Sequence, residues 1–538
     1  MSDQPTFIHR LPEEAVAGYA AVAPAGPLAG LTFAIKDNID LAGVPTTAAD
    51  PRRTTPAGES ATVVQRLLDA GAVPVGKTNM DQYATGLVGT RSPYGACHSV
   101  YSPDHVSGGS SSGSAVAVAA GEAEFALATD TAGSGRVPAA FNGLVGVKPS
   151  KGLVPTTGVV PACASLDCVT VMARTVARGR EVLDVIAGPD PRDPWSRTLE
   201  QRATPARPVV AVPVGDLDLD PVHHAAWEAS TARARELWDV VEVDVTAFLE
   251  AATLLYGGPW VAERRLAFGD VLTDDPAVDP TVRTIVADGP DLSAVDAFAA
   301  FHRLASLDAA TRPVWTGADA LLLPVTATHP TLEEVAADPV GVNTRLGRFT
   351  NMTNLLDLCA VAFPGPVRGD GLPFGVQLLA PAGGDLALLD LAARWCGEQP
   401  ARPAGDGRVD LVVAGAHLAG EPLNADLVAR GGTFVRTARM APDYRMYVVD
   451  GPLPRPGVTR LPAGGVAEPS ALEVEVWSLP AVALAGFQAT IAPPLGLGQV
   501  DLDDGTRVLG FLCSGDGVDP ARDITAHGGW RAWRASTG

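Results

Sequence analysis

The sequence predicts an α/β protein: a mixed sheet surrounded by helices over the first ~400 residues, followed by a smaller α+β domain rich in strand. Three observations carry this. Helical and strand-like apolar patterns alternate from residue 28 to residue 379. The 538 residues exceed one hydrophobic core, since cores stop growing near ~250–300 residues. Finally, residues 397–408 (GEQPARPAGDGR) are polar, Pro/Gly-rich and aperiodic, and the composition changes after them. Two domains are therefore expected, at 1–398 and 409–538, with a linker at 399–408.

Taken in order, residues 31–35 form an apolar run that ends in the polar group Lys36-Asp37-Asn38. A helix is expected at 61–70 and a short strand at 72–75. A Gly/Ser run at 107–114 leads into the small-residue segment 115–121, which reads as a tightly packed helix. A second Gly-rich turn, residues 130–135, precedes Arg136-Val137-Pro138. Strand patterns follow at 321–324 and 374–379. Beyond the linker, an apolar run at 411–415 is joined by β-like pieces at 445–449, 472–477 and 508–512. No internal repeat is evident.

Apolar residues make up 46% and charged residues 19% of the chain, an ordinary globular balance. The net charge of −21 argues against nucleic acid or an anionic membrane as partner. It leaves room for a small anion held by one local arginine, because salt screens the distant field within ~8–10 Å. The six cysteines form no CxxC pair and read as buried small side chains in a reducing compartment. Residues 1–30 lack the pattern of a signal peptide, and no run of ~18 apolar residues would span a membrane. A soluble, cytoplasmic protein is expected. Histidines 9, 98, 105, 223, 224, 302 and 329 show no ligand spacing, so neither metal nor cofactor is expected.

Only four of the 40 basic residues are lysine: Lys36, Lys77, Lys148 and Lys151. A chain that otherwise uses arginine keeps lysine where an amine must lose its proton. Ser110 lies in the run 108–114 (GGSSSGS) and Ser134 closes the turn 130–134 (DTAGS). Glycine-rich turns let backbone N–H groups converge, as an oxyanion hole requires. A buried, neutral lysine would supply the base, and Lys36 is placed for it. Other readings stand beside this one. The run lacks the GK[ST] ending of a phosphate-binding loop. Residues 109–113 match G-x-S-x-G, which would make Ser111 the nucleophile, but 101–105 is a poor strand to precede it. Two loops without chemistry are a third possibility.

Residues 108–114, the segment 128–140 (ATDTAGSGRVPAA) and 146–149 (GVKP) together resemble the amidase signature family, over about residues 25–395. Ser134 follows Ser110 by the family's 24 residues, and Lys36 stands in the matching AIKDN segment. The resemblance implies a Ser–cis-Ser–Lys triad with Ser134 as nucleophile, Ser110 as proton relay and neutral Lys36 as base. It also implies an oxyanion hole from the N–H groups of Thr131, Ala132, Gly133 and Ser134, with Ala132 where many members have glycine.

Within the family the chain is most similar to the allophanate hydrolase branch. That likeness rests on residues 158–168 and 83–89 and, beyond the linker, on 415–424 (GAHLAGEPLN). It implies Tyr256 and Arg264 as substrate-binding residues, and their eight-residue separation permits one face of one helix. It further implies a tail resembling the γ-glutamylcyclotransferase fold, with His417 in its cavity. Arg436, Tyr444 and Gln499 are conceivable neighbours there. The implied reaction is hydrolysis of allophanate to ammonia and CO2 through N-carboxycarbamate, with the tail promoting decarboxylation. A functional link to a urea carboxylase and a homodimer are implied as well. The alternative is a broad small-amide amidase whose tail is an assembly module.

Overall fold

Strands buried on both faces need continuous apolar runs, and the first part of the chain supplies them repeatedly. The computed structural model describes residues 4–205, 207–287, 291–398, 408–451, 454–461 and 472–537. It divides into two compact units, Met1–Ala401 and Arg402–Gly538. Most of the expected linker, 399–407, lies outside the described residues, and Arg408 already opens a strand.

In the first unit the strands are β1 (Phe7–Arg10), β2 (Thr32–Lys36), β3 (Val73–Thr78), β4 (Phe125–Asp130), β5 (Val145–Lys148) and β6 (Cys168–Ala173). They continue with β7 (Val209–Pro213), β8 (Asp239–Val243), β9 (Ala320–Pro324), β10 (Leu358–Pro364) and β11 (Gly375–Pro381). Among the described residues these make one eleven-stranded sheet, ordered β1-β3-β2-β4-β6-β5-β10-β11-β9-β7-β8. It is mixed: β2 runs parallel to β3 and β4, whereas β4–β6, β6–β5 and β10–β11 are antiparallel.

The two faces differ in side-chain size, following the period-two alternation of strands. Phe33, Ile35, Phe125 and Leu127 point into a large core with helices Thr62–Asp69, Val176–Ile186 and Asp385–Cys396. Ala34, Ala126 and Ala128 point the other way, into a core of small residues shared with Ala115, Ala117 and Val118. These last belong to the helix Ser112–Ala119. Alanine against alanine allows this helix to lie close to the sheet, which brings the Gly/Ser run before it to the sheet edge. Because β2 and β4 are parallel, Lys36 and Thr129-Asp130 end at that same edge.

The second unit has its own core, built on Leu411, Val413, Met446, Val474 and Trp530. Its strands are β12 (Arg408–Val413), β13 (Thr433–Arg439), β14 (Tyr444–Val449), β15 (Arg455–Arg460), β16 (Glu473–Pro480), β17 (Leu495–Asp501) and β18 (Arg507–Cys513). A five-stranded sheet runs β13-β16-β12-β18-β17, and β14–β15 form a separate hairpin. Only β12–β18 among these pairs is parallel. Among the described residues, no helix is long and apolar enough to cross a membrane.

Candidate active site

Lys36 is fully buried at the end of β2. Its Nζ lies 2.8 Å from Ser110 Oγ and 2.8 Å from Thr129 Oγ1. Burial removes the ammonium from water and lowers its pKa to about 7, against the weaker opposing pull of Asp81, Asp167 and Asp130. Asn38 Nδ2 donates to the same Thr129 hydroxyl at 3.2 Å. Three linked contacts therefore fix the amine beside Ser110.

Ser110 is held by its backbone. The Gly109–Ser110 peptide is cis, the Ser110 carbonyl accepts from Asp81 N at 3.0 Å, and Gly109 N donates to Leu87 O at 2.8 Å. The chain passes so close to Asp81 here that a Cβ on Gly109 would lie 2.1 Å from Asp81 Oδ2 and 2.5 Å from Gly89 N. Only glycine fits.

The turn at 130–135 is organised by two buried carboxylates. Asp130 accepts from Gly133 N at 2.7 Å and Gly135 N at 3.1 Å, and forms a buried ion pair with Arg136. Burial opposes its charge, but the Arg136 guanidinium overrides this and holds the carboxyl below its ordinary range. On the other flank, Asp167 accepts from Thr131 Oγ1 at 2.5 Å and from Ala162 N and Cys163 N. Because Gly133 N–H is bound to Asp130, it is directed away from an oxyanion. The N–H groups of Thr131, Ala132 and Ser134 have no acceptor among the described residues. The four donors expected from sequence thus reduce to three. Ser134 Oγ contacts the Gly86 carbonyl at 3.4 Å, and no hydrogen bond joins it to Ser110 among the described residues.

Tyr256 and Arg264 do not share a helix, contrary to the single helix considered from their spacing. Tyr256 lies on helix Thr246–Gly257 and Arg264 on helix Trp260–Phe268. The break falls at Gly258-Pro259, where proline removes a donor and forces the preceding residue to extended backbone (φ −125°, ψ −166°). The two side chains meet nevertheless, with the guanidinium 5.4 Å from the Tyr256 ring centroid. Arg264 is 1% exposed, yet its Nε and the Tyr256 hydroxyl have no hydrogen-bond partner among the described residues. Nη1 of Arg264 makes only long contacts, 3.4 Å to Ala84 O and 3.3 Å to Thr85 Oγ1. Those residues immediately precede the Gly86 that Ser134 touches. Leu255, Trp260, Ala132 and Tyr256 also pack in one apolar cluster.

In the second unit His417 lines a cavity of about 420 Å³ with Asp426, Arg430, Arg455, Thr490 and Phe511. Its ring stacks on Phe511 at 5.2 Å, and burial lowers its pKa to about 4. Arg436, Tyr444 and Gln499 are not in this wall. Arg436 pairs with Asp504, and the Tyr444 hydroxyl accepts from Asp501 N.

Residues 9–389 match the Amidase family. The chain belongs to that family. Residues 409–535 of this amidase match the Allophanate hydrolase C-terminal domain. The solved Kluyveromyces lactis allophanate hydrolase is 36% identical with a TM-score of 0.75, over 100% of this chain and 94% of that one. Urea amidolyase of Saccharomyces cerevisiae is 39% identical over 94% of this chain. The amidase spans 30% of the length of that relative. A glutamyl-tRNA(Gln) amidotransferase subunit of a Synechococcus strain is 35% identical over 70% of this chain and 85% of its own length.

Thr129, Asn38 and Asp167 escaped the sequence reading. Thr129 directly precedes the turn 130–134 and Asn38 lies two residues beyond Lys36; a polar residue at or just past the buried end of a strand was the available signal. Asp167 had none, since its partner Thr131 is 36 residues away.

Proposed function

We propose that this amidase hydrolyses allophanate (urea-1-carboxylate). The observation that carries the reading is the buried Arg264 guanidinium, stacked on Tyr256 with Nε unpaired among the described residues and adjoining the segment that Ser134 touches. A buried cation without a carboxylate in contact suits a substrate that brings one, and allophanate differs from urea by a carboxylate.

Neutral Lys36 accepts the Ser110 proton while Ser110 accepts that of Ser134, once the Ser134 hydroxyl rotates from Gly86 toward it. Ser134 Oγ attacks the terminal carbamoyl carbon, and the resulting oxyanion accepts from Thr131, Ala132 and Ser134 N–H groups. The C–N bond breaks, and ammonia leaves with a proton returned through Ser110. Water, deprotonated along the same path, cleaves the acyl-enzyme to N-carboxycarbamate. In the tail, around His417, the product loses CO2 as its nitrogen keeps the bonding electron pair and takes up a proton. The carbamate left decays to ammonia and CO2.

Similarity to urea amidolyase supports a functional link to an enzyme that carboxylates urea. A homodimeric, cytoplasmic enzyme is part of the same reading. The test compares ammonia release from allophanate, urea and propionamide by the purified protein. Allophanate should be turned over far faster than urea or propionamide; equal turnover of propionamide would establish a broad amidase instead.

A further inference from the structure

The cavity of the second unit owes its shape to one close approach. Pro456, the second residue of β15, packs on Gly415, where a Cβ would lie 2.1 Å from the proline Cδ and Cγ. Glycine at 415 therefore lets the start of β15 press against the loop after β12. This sets Arg455 and His417 in the same wall.

Three charged side chains line the cavity. Arg430 Nε contacts both oxygens of Asp426 at 3.1 Å, so those two charges neutralise each other. The guanidinium of Arg455, a half-buried residue, has no hydrogen bond or ion pair among the described residues. The loop from β12 adds backbone donors. The carbonyls of Gly415 and Ala416 accept from Leu418 and Leu423, while the N–H groups of Ala416 and His417 have no acceptor among the described residues. The remaining wall, including Leu423, Ile491, Leu495 and Phe511, is mostly apolar, and the hydroxyl of Thr490 there donates to Phe487 O at 2.7 Å. One uncompensated guanidinium and two available N–H donors, in a recess whose other charges are paired and whose wall is mostly apolar, are chemistry for a small anion.

We infer that this cavity binds a small dicarboxylate, with Arg455 holding one carboxylate and the Ala416 and His417 N–H groups the other. The inference rests on the proposal that the tail receives N-carboxycarbamate, a dianion with one atom between its carboxyl groups. Arg455 thereby becomes the residue that selects the ligand, and His417 the ring lying beside it. Burial alone holds His417 neutral, and a bound dianion favours its protonation, raising its pKa.

Malonate, with CH2 in place of NH, is a stable probe. Full-length protein carrying ¹³C-labelled histidine is titrated with it, and the His417 signal is assigned by its loss in His417→Ala. A saturable shift of that signal and a raised His417 pKa are expected. Arg455→Gln should weaken malonate at least tenfold, and Arg455→Lys should restore part of the affinity. Arg455→Gln should still release the first ammonia from allophanate while CO2 release lags. Malonate that leaves His417 unmoved, or binds Arg455→Gln as tightly as the parent, overturns the inference. If Arg455→Gln loses malonate but releases CO2 at the parent rate, the anion site stands and the decarboxylation reading fails.

Discussion

Lys36 and Lys77 are both fully buried, but their surroundings give them different work. Lys77 Nζ lies 3.1 Å from Asp37 Oδ1, an ion pair, whereas Lys36 meets only hydroxyls and a carbonyl. Without a carboxylate in contact, the Lys36 amine is free to be neutral near pH 7. Thr129 tunes that amine. Its hydroxyl oxygen stabilises the ammonium form, so Thr129→Val should shift the acid limb of kcat to lower pH. The lost hydrogen bond is worth about 0.5–1.5 kcal/mol, or roughly a two- to tenfold fall in kcat. KM should stay unchanged, because the Thr129 hydroxyl is taken up by Lys36 and Asn38; a pH profile with both parameters checks this. Arg264→Ala should cost about 1.5–3 kcal/mol in kcat/KM for allophanate, as for a hydrogen bond to a charged group. Neutral amides turned over by the parent should lose less. Equal losses on both would make Arg264 a structural residue.

Among the elements, the two Gly-rich turns were the most legible in the sequence, because each packs its requirements into a few adjacent residues. Ser110 and Ser134 could be singled out this way, and the strand ending at Lys36 follows from the apolar run 31–35. Side-chain direction was not legible. That Asp130 takes the Gly133 N–H depends on Arg136 orienting the carboxylate, a contact that folding supplies. The helix break before Arg264 was written in Gly257-Gly258-Pro259, whereas spacing alone permitted one continuous helix. The turn before the helix Ser112–Ala119 is intolerant of bulk. Gly109→Ala must displace Asp81 or the Gly89 backbone, and overpacking of this kind costs about 1–3 kcal/mol. Thermal unfolding should register a lower Tm, together with reduced ammonia release as Ser110 shifts.

Across the whole molecule, the division into two units and the mixed sheet follow from length, alternation and the Pro/Gly-rich stretch. The strand order does not. The His417 cavity joins residues 414–417 to Arg455, Thr490 and Phe511, because β18 returns to pair in parallel with β12. Arg436 and Gln499 stand within β13 and β17 rather than at turns, the buried Tyr444 opens β14, and none of the three lines that cavity. Two units with separate cores suit two separable steps. A protein ending at Pro400 should retain the first ammonia release and accumulate N-carboxycarbamate, visible by ¹³C NMR, and full-length His417→Ala should do the same. CO2 release at the parent rate in both would leave the tail as an assembly module.

In the proposed mechanism, catalysis depends above all on Ser134 acting through a neutral Lys36. The decisive measurement is ammonia release from allophanate between about pH 5 and 9 by the parent protein and by Ser134→Ala. Protonation of Lys36 removes the base, so parent activity should fall as pH drops through about 7. Ser134→Ala should lose nearly all activity at every pH. Parent-like turnover by Ser134→Ala, or a parent profile flat through its acid limb, would contradict these roles.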